Sequence, residues 1–161
     1  MAAPEPVDPS RVLPGDEPEA VRARYAQRPV EDWRYHPLNP SARLAWQGRQ
    51  SAIAERLRAE GLTDTGSLRL TEVGCGAGGL LLDCLQLGFR PGHLCGIELL
   101  PGRLAAARER RPAAVRLLGG DATQAPVEPG SQDIVLQSTV FSSLLDDAFQ
   151  QRLADAMWQW V

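Results

Sequence analysis

The chain has 161 residues, a formal net charge of −3 and 43% apolar residues, a balance typical of one soluble domain with a sizeable core. No apolar run is long enough to cross a membrane, and residues 1–15 lack the apolar stretch of a secretion signal, so we expect a cytoplasmic protein. The three cysteines, Cys75, Cys84 and Cys95, show no CxxC or metal-ligand spacing. This argues against a disulfide framework and against a metal site.

The first 65 residues divide into two segments. Residues 1–20 contain five prolines and five acidic residues, a composition that favours a disordered tail. Residues 21–65 are predicted to form a helical segment that caps the domain. Its main helix should begin at Asn39-Pro40-Ser41, with Ser41 capping free backbone N–H groups, and should end at Gly61. The expected buried face of this helix consists of Leu44, Trp46, Ile53 and Leu57.

From residue 66 to residue 161, short apolar runs alternate with helical stretches, which is typical of a βαβ succession. We therefore predict an α/β fold with an open, mainly parallel sheet, helices on both faces and three layers. The predicted strands are 68–73, 93–98, 114–118 and 133–138. The predicted helices are 79–87, 101–110 and 147–160, the last one capped by Asp146.

A glycine-rich turn, with the sequence EVGCGAGG from Glu72 to Gly79, lies between a predicted strand and a predicted helix. Glycines allow the backbone to turn sharply and to approach a ligand closely, and the helix start behind them presents free N–H groups. Gly74, Gly76 and Gly79 also satisfy GxGxxG, with Glu98 about twenty residues further on. A dinucleotide-binding oxidoreductase that uses an NAD-type cofactor is therefore an alternative.

Three features favour a different nucleoside ligand. Glu72 lies at the end of the first strand, where it would repel a pyrophosphate but could reach an amino group. Asp121 and Ala122 follow the third strand, where a carboxylate and a backbone N–H could read the edge of an adenine. The polar residues 137–139 follow the fourth strand, at the sheet edge where open α/β sheets bind ligands.

Four sequence segments follow one another along the chain: EVGCGAGG, GIELLPGRL, GGDA and DIVLQSTVF. With them, residues 66–161 resemble a class I S-adenosylmethionine-dependent methyltransferase, which implies a Rossmann-like fold and S-adenosylmethionine as the cofactor. For the methionine part, the resemblance implies a supporting loop formed by Gly74, Gly76 and Gly78, with Cys75 contributing backbone contacts. It also implies that Glu72 orients the amino end of the cofactor, directly or through water.

The resemblance further assigns residues to the nucleoside part of the cofactor. Glu98 would accept hydrogen bonds from both ribose hydroxyls, and Leu99 would pack on the adenine. Asp121 and Ala122 would contact the adenine N6 and N1. Gln137 and Ser138 would line the methionine and methyl end.

The resemblance implies transfer of a methyl group, and we expect a small-molecule or sugar-bearing substrate. No NPPY motif, typical of nucleic-acid methyltransferases, is present, so we expect neither nucleic acid nor membrane as a partner. No residue identifies itself as the catalytic base. His36, in an aromatic segment with Tyr25, Trp33 and Tyr35, is the best candidate.

The number of strands departs from the family pattern. A class I methyltransferase sheet has seven strands, whereas four are predicted here, so we expect that the chain is truncated after the fourth strand. Residues 134–136 would then form an open apolar edge through which the protein could self-associate. A non-catalytic fragment that retains cofactor binding is therefore a further alternative to an active enzyme.

Overall fold

The structure is a computed structural model that describes residues 16–28, 33–36 and 38–161, apart from the side chain of Tyr35. Its helices are α1 (Glu17–Ala26), α2 (Pro40–Ala59), α3 (Gly79–Gln86), α4 (Pro101–Arg110) and α5 (Asp147–Trp160). Its strands are β1 (Leu70–Val73), β2 (Leu94–Glu98), β3 (Arg116–Gly119) and β4 (Ile134–Gln137). Short 3₁₀ turns lie at Trp33–Tyr35, Pro91–His93, Ala122–Gln124 and Phe141–Ser143.

The four strands form one parallel sheet in the order β3-β2-β1-β4. Leu70 of β1 lies opposite Leu94 of β2 on one side and opposite Ile134 of β4 on the other. The central strands are buried along their whole length, because both faces of a parallel sheet are covered by other elements. All four carboxyl ends therefore meet at one edge, and β4 occupies an outer position in this sheet.

Two apolar clusters cover the two faces of the sheet. Beneath α3, Leu81 packs with Leu57 of α2 and Leu70 of β1. On the opposite face, α5 packs through residues such as Leu153 against Val73 of β1. The predicted three-layer α/β architecture with a Rossmann-like parallel sheet is thus confirmed. The predicted bounds of α4 and α5 are also confirmed, and the Asp146 side chain accepts a hydrogen bond from the N–H of Phe149 at 3.0 Å.

Helix α1 begins inside the segment that was predicted to be a tail. Asp16 caps it by accepting a hydrogen bond from the N–H of Glu19, and Glu17, Ala20 and Val21 are buried. The prediction of a tail that reaches residue 20 is therefore corrected, because Asp16 caps a helix here and the buried Glu17 accepts the N–H of Leu145 in the domain. The prediction for residues 1–15 lies outside the described part of the chain.

Helix α2 differs from the prediction in its cap and in its buried face. The Asn39 side chain, not that of Ser41, caps the helix by accepting the N–H of Ser41 at 2.9 Å. Leu44 is 69% exposed, whereas Leu57 is buried as predicted. Gly61 ends the helix as predicted, with a φ of +73°. No helix of the described residues is long and apolar enough to span a membrane.

Candidate functional site

A cavity lies at the carboxyl edge of the sheet, where the loops after all four strands converge. Residues of β1, β2, α5 and α1 line it. Of the residues proposed from the sequence, Gly74, Glu98, Leu99, Asp121, Ala122 and Ser138 line this cavity. Six of the eleven proposed residues thus lie at one cavity, whereas Glu72, Cys75, Gly76, Gly78 and Gln137 are not part of its lining.

The glycine-rich loop after β1 adopts a conformation that only glycine accepts easily. Gly74, Gly76 and Gly78 have φ values of +69°, +56° and +73°. A Cβ atom on Gly74 would lie 2.4 Å from Cγ2 of Val140, in the loop after β4. The missing side chain thus allows the loops after β1 and β4 to meet at the cavity.

Glu98 lies at the end of β2 and is only 5% exposed, although it lines the cavity. Its Oε2 accepts the N–H of Gly76 at 2.7 Å, and its Oε1 accepts the N–H of Leu100 at 2.8 Å. A carboxylate oxygen can accept two hydrogen bonds, so each oxygen keeps a lone pair for a ligand. Two adjacent hydroxyls, as in a ribose, match this pair of acceptors.

Asp121 and Ala122 occupy the loop after β3. One oxygen of Asp121 accepts the N–H of Thr123 at 2.8 Å, which fixes the side chain and leaves the other oxygen for a ligand. Leu99 lies on the same wall of the cavity. An apolar side chain next to a carboxylate and free backbone groups fits a flat, polar-edged base such as adenine.

The corner after β4 contributes Ser138 and Thr139 to the cavity, but not Gln137. The side-chain oxygen of Gln137 accepts the N–H of Val140 at 2.8 Å, so its role is to hold the turn. Thr139 has a φ of +65°, which is rare for a β-branched residue and costs backbone energy. The predicted place of Gln137 in the lining is therefore corrected, while Ser138 lies where it was expected.

Glu72 lies on the other face of the sheet from the cavity. Successive side chains of a strand point to opposite faces of the sheet, so Glu72 and Val73 lie on different faces. Glu72 therefore shares the face of Leu70, which packs beneath α2 and α3. Burial raises the pKa of Glu72 to about 8, against an opposing effect of Arg49. Its Oε2 is buried without a hydrogen-bond partner. The expectation of direct contact with a ligand is thus corrected, because the pleat directs this side chain away from the cavity.

The three cysteines are buried and reduced. Burial raises the pKa of both Cys75 and Cys84 to about 12, and it also raises the pKa of Cys95. A thiol must lose its proton to act as a nucleophile or a metal ligand. These residues therefore act as small apolar side chains. Within the described ranges, no group of three His, Cys, Asp or Glu side chains could hold a metal ion.

The histidine proposed as a base does not line the cavity. His36 is exposed, stacks on Trp33 with a centroid distance of 4.8 Å, and its Nδ1 accepts the N–H of Leu38 at 3.1 Å. Among the described residues, the carboxylates that line the cavity are Glu98 and Asp121, and both already hold backbone N–H groups. The cavity therefore offers hydrogen bonding and shape more than a free base.

Helix α1 contributes to the cavity; its beginning before residue 21 was not predicted from the sequence, whereas Tyr25 was expected near the candidate base. Tyr25 lines the cavity, and its hydroxyl lies 3.3 Å from Oγ of Ser143. The guanidinium groups of Arg28 and Arg103 lie 3.8 and 4.7 Å from the centre of the Tyr25 ring. The sequence does carry a signal for this helix, because Asp16 and Glu19 have the spacing of a helix-capping pair.

Comparison with known proteins connects this geometry to one family. A family described as "Methyltransferase domain" matches residues 71–161, more than half of the chain. No curated protein sequence matches significantly. The residues fit the cofactor of such enzymes, since Gly74, the paired acceptor of Glu98 and the carboxylate of Asp121 line one cavity.

Solved structures give the same result. An S-adenosylmethionine-bound amino pentose methyltransferase from Micromonospora echinaspora, involved in calicheamicin biosynthesis, is 33% identical, with a TM-score of 0.56 over 70% of this chain. An S-adenosylmethionine-dependent methyltransferase from Mesorhizobium loti is 26% identical, with a TM-score of 0.55 over 72%. A phosphoethanolamine N-methyltransferase from Haemonchus contortus shares the fold at 14% identity, with a TM-score of 0.67 over 94%. The aligned regions cover 44%, 50% and 31% of those proteins.

Proposed function

Because the chain belongs to the class I S-adenosylmethionine-dependent methyltransferases, we propose that it transfers a methyl group to an amine of a small, sugar-bearing molecule. The single observation that carries the proposal is the paired acceptor of Glu98 beside the glycine cradle. We assign cofactor binding to residues 66–161 and the covering of the site to α1 in the segment before them. An NAD-type oxidoreductase is disfavoured by the family match.

The proposed roles follow from the position of each side chain in the cavity. Glu98 holds the ribose hydroxyls with its two free lone pairs, and Leu99 packs on the adenine. Asp121, fixed by the N–H of Thr123, accepts the exocyclic amine of the base. Gly74 lets the loop after β4 approach the loop after β1, and it lines the cavity where we place the methionine part.

When bound, S-adenosylmethionine supplies a methyl group on a positively charged sulfur, which leaves readily as a thioether. The protein's task is then to hold the acceptor in line and to exclude water, and correct orientation alone supplies several kcal/mol. The apolar residues Phe149 and Leu153 of α5 and Val21 of α1 line the cavity and serve this exclusion. An unprotonated amine needs no base for the attack, which suits a cavity whose carboxylates are already engaged.

The acceptor class rests on two supports. The amino pentose methyltransferase from Micromonospora echinaspora is 33% identical to this chain, which favours a sugar amine as the acceptor. The cavity lining carries four hydroxyl groups, from Tyr25, Ser138, Thr139 and Ser143. Hydroxyl groups both donate and accept, so they can hydrogen-bond the hydroxyls of a sugar ring.

The first test is titration calorimetry with S-adenosylmethionine, S-adenosylhomocysteine and NAD⁺. The proposal predicts that the wild-type chain binds the first two and ignores NAD⁺. Binding of NAD⁺ alone would favour the oxidoreductase. Light scattering during the same preparation reports whether copies associate, as the outer position of β4 predicts.

The second test measures transfer of a radiolabelled methyl group to a panel of acceptors. The panel contains amino sugars, the matching sugars with a hydroxyl in place of the amine, transfer RNA and duplex DNA. The proposal predicts labelling of the amino sugars only. Labelling of the hydroxyl sugars would correct the acceptor atom, and labelling of either nucleic acid would overturn the substrate class.

A further inference from the structure

A buried arginine lies behind the glycine-rich loop, on the side away from the cavity. Arg111 follows the last residue of α4, where its N–H donates to the carbonyl of Ala107 at 3.0 Å. The residue is only 6% exposed. Its Nη2 donates to the carbonyl of Ala77 at 2.7 Å, across 34 residues of sequence. The side chain thus connects the end of the second βα unit to the loop of the first.

The guanidinium also occupies the space beside Gly78, whose positive φ already favours glycine. Gly78 has a φ of +73°, and a Cβ atom placed on it would lie 2.3 Å from Nε of Arg111. Real Cβ atoms do not approach a neighbour so closely. The guanidinium therefore lies directly against the backbone of Gly78, at the point where the loop becomes α3.

Burying the positive charge of Arg111 at this position costs free energy. Arg111 takes part in none of the ion pairs found in the described part of the chain, and its Nε and Nη1 are buried without hydrogen-bond partners. A buried charge normally needs a partner of opposite charge. The contact that this cation does make is with the loop that carries Gly74 and Gly76. The buried guanidinium of Arg111 costs free energy, and its contacts with the glycine-rich loop offset that cost.

We propose that Arg111 is a positioning residue for the cofactor, which fixes the conformation of the glycine-rich loop from behind through the Ala77 carbonyl and the Gly78 backbone. Arg111 does not line the cavity. It therefore influences the affinity for a ligand indirectly, by fixing the conformation of the loop. The inference rests on the cofactor site and not on the identity of the methyl acceptor. A loop that is already in place when the ligand arrives loses less entropy on binding.

The test uses the wild-type chain and three variants, Arg111→Met, Arg111→Lys and Arg110→Met. Methionine keeps the apolar stem but removes every donor, whereas lysine keeps one donor for the Ala77 carbonyl. Arg110 is the matched control, because it is an exposed arginine on the same helix. Calorimetry with S-adenosylhomocysteine is performed at a temperature at which each variant is folded by circular dichroism.

We expect Arg111→Met to bind S-adenosylhomocysteine about tenfold more weakly, the effect of losing one charge-assisted hydrogen bond. Arg111→Lys should bind with an affinity between those of Arg111→Met and wild type, and Arg110→Met should match wild type. In the absence of ligand, amide exchange over residues 74–79 should be fastest in Arg111→Met, intermediate in Arg111→Lys and unchanged in Arg110→Met. A residue with a merely structural role would lower the melting temperature and leave the affinity of the folded protein unchanged.

A double-mutant cycle tests the contact with Gly78 directly. Gly78→Ala introduces both backbone strain and a clash with Arg111, whereas in an Arg111→Ala background only the strain remains. The loss of affinity caused by Gly78→Ala should therefore be smaller in that background, by about tenfold. Equal losses in both backgrounds would overturn the inference.

The outcomes separate the two proposals. Normal affinity and normal amide exchange in Arg111→Met overturn the positioning role while leaving the proposed function intact. If Arg111→Met does not fold, Arg111→Lys decides by the same two measurements. If the wild-type chain binds no S-adenosylhomocysteine, the proposed function fails, and amide exchange of the ligand-free loop still decides the role of Arg111.

Discussion

The carboxylate of Glu98 and the backbone N–H of Gly76 join the ends of two neighbouring strands, with Oε2 accepting from the amide at 2.7 Å. The other oxygen of Glu98 accepts the N–H of Leu100 at 2.8 Å. The acid thus orders the glycine-rich loop and its own loop before any ligand is present. The same carboxylate then offers its remaining lone pairs to the cavity.

Glu98→Gln should abolish most of the cofactor binding. The amide NH₂ would face one of the two backbone N–H groups, so a hydrogen bond would be replaced by a repulsive contact. We expect S-adenosylhomocysteine to bind about 10- to 100-fold more weakly, since hydrogen bonds to charged groups contribute about 1.5 to 3 kcal/mol. Calorimetry measures the loss. Glu109→Gln, at an exposed position on α4, is the control, and equal affinities of the two variants would contradict the role of Glu98.

Much of this site follows from the sequence because the strands are parallel. An acid or polar residue at the end of each apolar run must lie at the same sheet edge, which brings Glu98, Asp121 and Ser138 together. The first residues of α4 and α5 also follow from the sequence. Pro101 suits a first helical turn and Asp146 is an N-cap, so both helices begin where the sequence predicts.

The errors concern the orientation of side chains. Glu72 was placed at the ligand because it lies beside the glycines, although alternation along β1 gives it the same face as Leu70. Leu44 is apolar and has helical spacing, yet tertiary packing leaves it exposed. Gln137 has a strand-end position, but a local hydrogen bond to Val140 competes for its side chain. Alternation could have placed Glu72 correctly, whereas the exposure of Leu44 and the hydrogen bond of Gln137 depend on the folded structure.

Glu72 should make stability depend on pH. Burial raises its pKa from 4.5 to about 8, so the folded state binds a proton that the unfolded state releases. This contribution to stability is complete below pH 4.5 and is lost as the pH rises to about 8. The loss is on the order of a few kcal/mol, because one pKa unit corresponds to about 1.4 kcal/mol.

The measurement compares urea unfolding of wild type and Glu72→Gln at several pH values. Glutamine does not titrate, so the variant does not lose this contribution as the pH rises. The unfolding free energy of the variant minus that of wild type should therefore increase between pH 5 and pH 8. The comparison cancels the titration of all other groups. A constant difference over this range would show that Glu72 is ionised in the folded protein at all these pH values.

Helix α1 should depend on one buried acid. Glu17 accepts the N–H of Leu145 at 2.8 Å and pairs with Arg24, whose Nη2 also donates to the carbonyl of Ser143 at 3.0 Å. Glu17→Gln should lower the unfolding free energy by about 1 to 3 kcal/mol. It should also speed proteolytic cleavage within α1.

The matched control for Glu17 is Glu19, two residues away on the same helix. Glu19 pairs with Arg22 at 3.0 Å, but both side chains are exposed. Exposed pairs contribute less than about 1 kcal/mol, so Glu19→Gln should leave stability and cleavage nearly unchanged. If the two variants behave alike, α1 is not held by the buried contact to Leu145.

The two tryptophans at the end of α5 should differ sharply in their effect on stability. Trp160 is 4% exposed, and it belongs to the apolar cluster that contains Val73 at the floor of the cavity. Trp158 is 81% exposed. We expect Trp160→Ala to cost about 3 to 5 kcal/mol through loss of buried area and a remaining cavity, and Trp158→Ala to cost less than about 0.5 kcal/mol. Urea unfolding followed by circular dichroism avoids the loss of tryptophan fluorescence. Equal destabilisation by both substitutions would show that Trp158 is covered in solution, for example by a second copy of the chain.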